Sequence, residues 1–352
     1  LKEARKQFEA GTISKEELTK VEDACIEDLI AKQKAAGYHV ITDGEFRRAT
    51  WHLDFMWEFE GVGHSKTKTG LPFHGEAAMI DDTYLTGKVS YKSGHAFVQH
   101  FAFVKQFEDE NTVAKLTIPA PAQFLEQMIM PFAWENTSKY YETPEQVAED
   151  IAQGYRAFIQ EVYAAGCRNL QLDDCSWGMV VDPNAPALFG TTKAGLENIK
   201  KQLLEINNKA IEGAPADLII NTHVCRGNFH STYASSGAYD SVAETLFTKE
   251  NVNAYYLEFD DARSGGFECL KAVSGDKKVV LGLITTKSPK LEDKQAVIAR
   301  IHEAAKYVPL DRLYLSPQCG FASCEIGNKL TEKQQWAKLA LVKEIAEEVW
   351  GK

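Results

Sequence analysis

No apolar run in the chain approaches the ~20 residues needed to cross a bilayer, and no positively charged start leads into an apolar stretch of the exported kind. Neither a membrane span nor a secretory leader is expected, and the expected compartment is the cytoplasm. Basic charge is scarce: 39 Lys and Arg face 50 Asp and Glu, a formal net charge of −11. A surface of that sign repels nucleic acid and anionic membrane, which argues against both as partners. The seven cysteines, at 25, 167, 175, 225, 269, 319 and 324, show no C-x-x-C spacing. That argues against zinc ribbons and thioredoxin chemistry. A chain of 352 residues buries a core without disulfide staples, so these read as reduced thiols, some of them candidate ligands. No repeat, low-complexity tract or Ser/Gly linker divides the chain, and one domain over residues 1–352 is expected.

What is present is an alternation of strands and helices. Helical patterns cover 15–36, 144–166, 192–212, 290–307 and 331–350, with Ser14, Thr143, Thr191 and Thr331 as candidate caps. Thr143-Pro144-Glu145-Gln146 reads as a capping box with Pro in the first turn. Weaker helical stretches lie near 96–109, 239–248 and 265–273. Short apolar runs at 39–42, 113–118, 169–172, 218–222, 254–257, 278–283 and 312–315 suit buried parallel strands. Such alternation gives an open doubly wound sheet or a closed barrel. The expected fold class is α/β, a (β/α)8 TIM barrel, with seven strands counted and the eighth supplied by a first strand upstream of Leu1. Residues 58–95 break the alternation; they are expected to form a hairpin insertion over the mouth, after the second strand position.

In a parallel barrel the chemistry gathers where the strands end, because the loops there converge on one cavity. The runs end in Asp43-Gly44-Glu45, Pro119-Ala120-Pro121-Ala122, Asp173-Asp174, His223-Val224-Cys225, Glu258, Thr285-Thr286-Lys287 and Cys319. Residues i and i+2 of an extended segment point the same way, so His223 and Cys225 can both face the axis. Glu258 and Cys319, from later strand ends, can complete a tetrahedron of one nitrogen, two sulfurs and one oxygen. Thiolates with imidazole select zinc over magnesium or calcium. The plainer alternative is a hydrogen-bonded core histidine with inert buried thiols.

Asp43-Gly44-Glu45-Phe46, Leu172-Asp173-Asp174, Thr222-His223-Val224-Cys225, Leu257-Glu258 and Ser316-Pro317-Gln318-Cys319-Gly320 together resemble the catalytic barrel of cobalamin-independent methionine synthase, and most of all its short single-barrel relatives. The resemblance implies zinc held by His223, Cys225, Glu258 and Cys319, and a homocysteine amino group held by Glu45 and Asp173. Two departures stand out. The Gly-Ser phrase that ends the family's first strand has no counterpart, and the segment where the double-barrel enzyme has a proton-delivering His reads Thr285-Thr286-Lys287-Ser288-Pro289. Lys287 is therefore the expected catalytic residue, facing the cavity to protonate the leaving group or to hold an anionic donor.

A zinc-bound thiol is deprotonated where a free one is not. The expected activity is thus zinc-dependent methyl transfer to a thiol, from homocysteine to methionine, with a small-molecule methyl donor such as a methyl-folate. Weighed beside it are alkylation of another thiol such as coenzyme M, a non-folate donor, a zinc hydrolase and a closed structural zinc. The hydrolase reading fits poorly, since it wants neutral ligands that leave the metal cationic. Of the remaining candidates, Cys324 reads as packing, His230 as a solvated or supporting histidine, and Asp174 as the partner of a helix or loop base. Arg47 and Arg48 read as carboxylate partners or donor contacts. Trp51, Trp57, Trp134 and Trp177 read as rim aromatics.

Overall fold

The computed structural model describes residues 1–351. Its first stave, β1, is only Val40–Ile41, and the insertion that follows builds β2 (Glu60–Ser65), β3 (Leu71–Phe73), β4 (Glu76–Ala78) and β5 (Asp82–Ser90). The remaining staves are β6 and β7 (Val113–Ala114 and Leu116–Pro119, interrupted only at Lys115), β8 (Asn169–Asp174), β9 (Ile219–Val224), β10 (Ala254–Glu258), β11 (Lys278–Ile284) and β12 (Leu313–Pro317). β1 pairs in parallel with β6, and β7 to β12 form one parallel sheet in chain order. These are the seven staves expected, in the arrangement of a (β/α)8 barrel with its helices outside. The apolar runs are buried on both faces, as parallel strands under helices must be: Val279, Leu281, Leu283 and Ile284 are all within the core.

No strand pairing joins β1 to β12 among the described residues. There the helices Lys15–Ala35 and Glu332–Trp350 meet: the Tyr38 hydroxyl donates to the Leu339 carbonyl at 2.6 Å, and Lys32 lies 2.7 Å from Asp28 and 2.8 Å from Glu332. Both helices start as their sequences demand, with Ser14–Glu17 and Thr331–Gln334 forming complete capping boxes.

Three helix starts differ from expectation. Thr143 occupies the N-cap with Pro144 in the first turn, as expected, but its hydroxyl makes no capping hydrogen bond and supports Glu145, while Gln146 reaches back to the Glu142 amide. Leu196–Ile211 begins after Gly195, four residues beyond Thr191, and Lys294–Ala304 is capped by Asp293. The stretch near 265–273 is a short 3-10 turn, Glu268–Ala272. The insertion holds two hairpins, not one: β2 pairs with β5, and β3 with β4 between them. No helix is long and apolar enough to cross a membrane.

Candidate metal centre and cavity

Register aligns the site. Asp173 on β8 lies opposite His223 on β9, which lies opposite Tyr256 on β10; Glu258 at the end of β10 lies opposite Gly282 on β11. The ends of four neighbouring staves therefore open onto one floor, and the segment after β12 adds Cys319. The four ligand atoms of His223, Cys225, Glu258 and Cys319 all lie within 4.8 Å of one another. Cys225 Sγ is 3.6 Å from Glu258 Oε1 and 3.7 Å from Cys319 Sγ. Tetrahedral zinc with bonds near 2.0–2.3 Å sets ligand atoms about 3.3–3.8 Å apart, a spacing that the two Cys225 distances already meet.

The orphaned atoms point the same way. His223 Nδ1 contacts the Tyr256 carbonyl at 3.1 Å, which fixes the ring and leaves Nε2 buried without a partner. Glu258 Oε2 is buried and without a hydrogen bond as well. A buried polar atom without a partner is costly, and a cation bound here would answer both.

These groups shift one another. Burial alone would push His223 down, but Cys225, Asp173 and Glu258 outweigh it and hold the imidazole up at about 9. Burial and the neighbouring Cys225 push Glu258 up to about 8. The Cys225 thiol is held well below its usual range, first by Cys175 and Cys319, then by His223. The Gly227 amide also donates to Cys225 Sγ at 3.3 Å. Gly178 packs so tightly on this loop that a Cβ would sit 2.0 Å from the Cys225 carbonyl oxygen, which only glycine avoids.

Glu45 is presented by a strained turn. Gly44 and Glu45 both adopt positive φ, 62° and 60°, a conformation that costs a non-glycine residue free energy. The surroundings hold it there: Asp43 accepts from the Glu45 amide at 2.8 Å, Thr117 donates to its carboxylate at 2.6 Å, and Arg48 lies 3.1 Å away. Loss of water contact pushes the Glu45 carboxyl up to about 7, with Arg48 pulling the other way and Asp173 adding to the rise. Asp173, raised by burial, accepts from Gln171 at 2.7 Å.

Glu45, Asp173, His223, Cys225 and Cys319 all line one cavity of about 1300 Å³, roofed in part by Leu71 and Phe73 of the inserted hairpin. Phe73 packs on Phe229 at 5.2 Å, and Glu76 binds His230 at 2.9 Å and Lys329 at 3.1 Å. His230 thus fastens the insertion to the barrel.

Lys287 is set apart: it does not line this cavity, and its buried Nζ has no hydrogen-bond partner. Arg47 pairs with Glu22 and Asp23, and Arg48 is buried against the Phe97 ring, so both are structural partners. Asp174 is answered by Ser176 and Asn207, not by a base, because its strand faces a polar helix position there. Trp51 lines the cavity, Trp57 stacks on His64, Trp134 packs on the core and Trp177 is fully buried.

Two residues at the centre were not singled out in the sequence. Cys175 adjoins Cys225, and Arg226 places a fully buried guanidinium 3.8 Å from Glu258. The signal for each was adjacency: Cys175 follows Asp173-Asp174, and Arg226 follows the ligand Cys225.

The cobalamin-independent synthase catalytic-domain family matches residues 136–348. The uncharacterized protein YxjH of Bacillus subtilis is 42% identical over 352 residues, covering 99% of this chain and 91% of its own. A methionine synthase of Saccharolobus solfataricus is 24% identical over 325 residues, covering 91% and 83%. Among solved structures, a putative vitamin-B12-independent methionine synthase from Listeria monocytogenes superposes with a TM-score of 0.77 at 35% identity, over 100% of this chain and 94% of that one. A B12-independent methionine synthase from Shewanella sp. W3-18-1, in complex with selenomethionine, shares the fold with a TM-score of 0.72 at 20% identity, over 96% and 90%. Length, fold and the strand-end residues agree with one another, and the chain belongs to the catalytic-domain family of the cobalamin-independent synthases.

Proposed function

We propose that this protein is a zinc-dependent methyltransferase that methylates the thiol of homocysteine to give methionine. The observation that carries the reading is the cluster of two thiols, one imidazole and one carboxylate on the floor of a cavity that also presents Glu45 and Asp173. The methionine synthases among its relatives support the choice of acceptor. A purely structural metal would be sealed, whereas His223, Cys225 and Cys319 open onto the cavity.

His223, Cys225, Glu258 and Cys319 would hold the zinc, whose chemistry is to present an arriving thiol as thiolate near neutral pH. Two thiolates and a carboxylate leave such a centre with net negative charge. That keeps electron density on sulfur and suits nucleophilic attack better than carbonyl polarisation. Glu45 and Asp173 hold the substrate ammonium, orienting the amino acid so that its sulfur reaches the floor. Thr117, Arg48 and Gln171 keep those two carboxylates in place. The cavity exceeds the 300–1,000 Å³ of an ordinary ligand pocket, which leaves room for a sizeable methyl donor beside the amino acid.

The test is titration calorimetry of the zinc-loaded protein with homocysteine in buffers of different ionisation enthalpy, followed by methyl-transfer assays with several donors. Binding is expected to release about one proton per site near neutral pH. Binding without proton release by protein of full metal content would overturn the reading.

A further inference from the structure

The ammonium of Lys287 is a buried cation with neither a hydrogen bond nor an ion pair. Its position is set by a loop pinned to the Cys319 segment. Gln318 Oε1 accepts from the Thr286 amide at 2.6 Å and from its hydroxyl at 3.1 Å, and Asn328 donates to the Thr286 carbonyl at 2.9 Å. The stave that feeds this loop, β11, runs directly beside Glu258. Lys287 follows Thr286 directly, so the chain that presents it is tied to the residue next to Cys319. The ammonium therefore lies buried beside the strand end that carries Glu258 and the segment that carries Cys319.

Glu258 has the complementary deficit. One oxygen faces Cys225, and the other is buried without a hydrogen bond. Arg226, at 3.8 Å, is already engaged: it donates to the Tyr239 hydroxyl at 2.8 Å and to the Gly237 carbonyl at 2.6 and 3.0 Å. A carboxylate displaced from a ligand set in this place would be buried with no hydrogen bond and only the 3.8 Å Arg226 pair to answer it, which is unfavourable.

Building on the zinc–thiol reading above, we propose that Lys287 is a positioning residue that receives the Glu258 carboxylate when a substrate thiolate takes its place among the four ligands. With zinc held by these residues, the thiol would give its proton to solvent as its sulfur took the ligand place that the Glu258 oxygen gave up. The displaced carboxylate closes an ion pair that the resting centre holds open. Exchange then strands no charge, and the carboxylate stays close enough to return once the methylated sulfur, a poorer ligand, departs.

The experiment uses the full chain loaded with Co²⁺ as a spectroscopic substitute for zinc, titrated with homocysteine. In the unaltered protein, thiol entry adds sulfur-to-cobalt charge-transfer absorption while the d–d bands stay tetrahedral. Lys287→Met is expected to retain its metal but to bind thiol at least about tenfold more weakly, with Lys287→Arg restoring much of the loss. In a Glu258→Gln background, where no charge needs receiving, Lys287→Met is expected to change thiol affinity by less than about twofold. A general packing role would cost the same in both backgrounds. Equal loss in both, unchanged thiol affinity in Lys287→Met, or metal loss in the Met and Arg variants alike would overturn the proposal. A native protein whose cobalt spectrum ignores thiol would overturn the zinc–thiol reading, and this inference with it.

Discussion

The floor of the cavity and its roof are held by different forces. On the floor, parallel register, buried apolar neighbours and main-chain contacts set each ligand, and His223, Glu258 and Arg226 have almost no water contact. In the roof, β3 and β4 make a three-residue ladder, anchored by the Phe73–Phe229 contact and by Glu76 between His230 and Lys329. Partly exposed ion pairs of that kind contribute little, about 0–1 kcal/mol. Geometry that must hold to tenths of an ångström sits where the backbone dictates it. Geometry that must admit a substrate sits where weak contacts can let go.

The sharpest way to break this contrast is at the floor. Cys225→Ser and Cys319→Ser each replace a soft anionic sulfur by a neutral hydroxyl. Metal affinity is expected to fall by more than the roughly 10- to 100-fold that loss of an outer partner costs. Metal analysis after dialysis against a competing chelator measures this. Retention of full metal by both variants would show that the floor is not a metal centre.

Glu45 tests the middle of the cavity. Its carboxyl, raised to about 7 by lost water contact, is increasingly neutral below that pH and cannot then hold an ammonium. Affinity for an amino-acid thiol should rise as pH increases from 6 to 8, approaching tenfold per unit well below 7, and Glu45→Gln should flatten the profile. For the free protein the sign is reversed. A raised acid contributes stability that is complete below its ordinary range and lost as pH climbs through about 7, so added substrate should stabilise most at the alkaline end. A pH-independent KM in the native protein would remove Glu45 from ammonium binding.

The smallest effect is expected in the roof. Glu76→Gln weakens both of its ion pairs, so unfolding free energy should change by less than about 1 kcal/mol. Metal content should be untouched, while KM for the methyl donor rises. A drop in metal content would show that floor and roof are coupled after all.

How far the sequence predicted these two regions follows from the same forces. His223 and Cys225 were readable because alternation along a strand decides which way they face, and Glu258 and Cys319 because barrel strands end at one cavity. Lys287 was not, because β11 stops at Ile284 and alternation carries no information beyond it. The preceding residue, Thr286, is held by Gln318 and Asn328, which are distant in sequence. The helices Pro121–Ile129 and Pro131–Thr137 escaped notice because each opens on a proline within a proline-rich stretch that reads as loop, although proline at a first helical turn is favourable. Thr143 had the right pattern for a cap, but its hydroxyl turned to Glu145. Residue spacing in the insertion indicated one hairpin and could not reveal the second, whose turn is fixed by contacts to residues more than 150 positions away.

The clamp on Lys32 bears on how fast a donor arrives. Lys32 is held between Asp28 and Glu332, Arg226 is enclosed, and Lys115 lies over the Tyr256 ring at 4.2 Å, so the cations along the cavity are already engaged. The carboxylates of Glu45 and Asp173 face the same space in a chain of net charge −11. An anionic donor must diffuse against that field, while a neutral or cationic one is not slowed by it. Added salt therefore speeds the encounter with an anionic donor and slows it with a cationic one, as the screening length shrinks from about 10 Å at 0.1 M toward 3 Å at 1 M. The ionic strength at which the enzyme works best becomes a reading of its donor's charge.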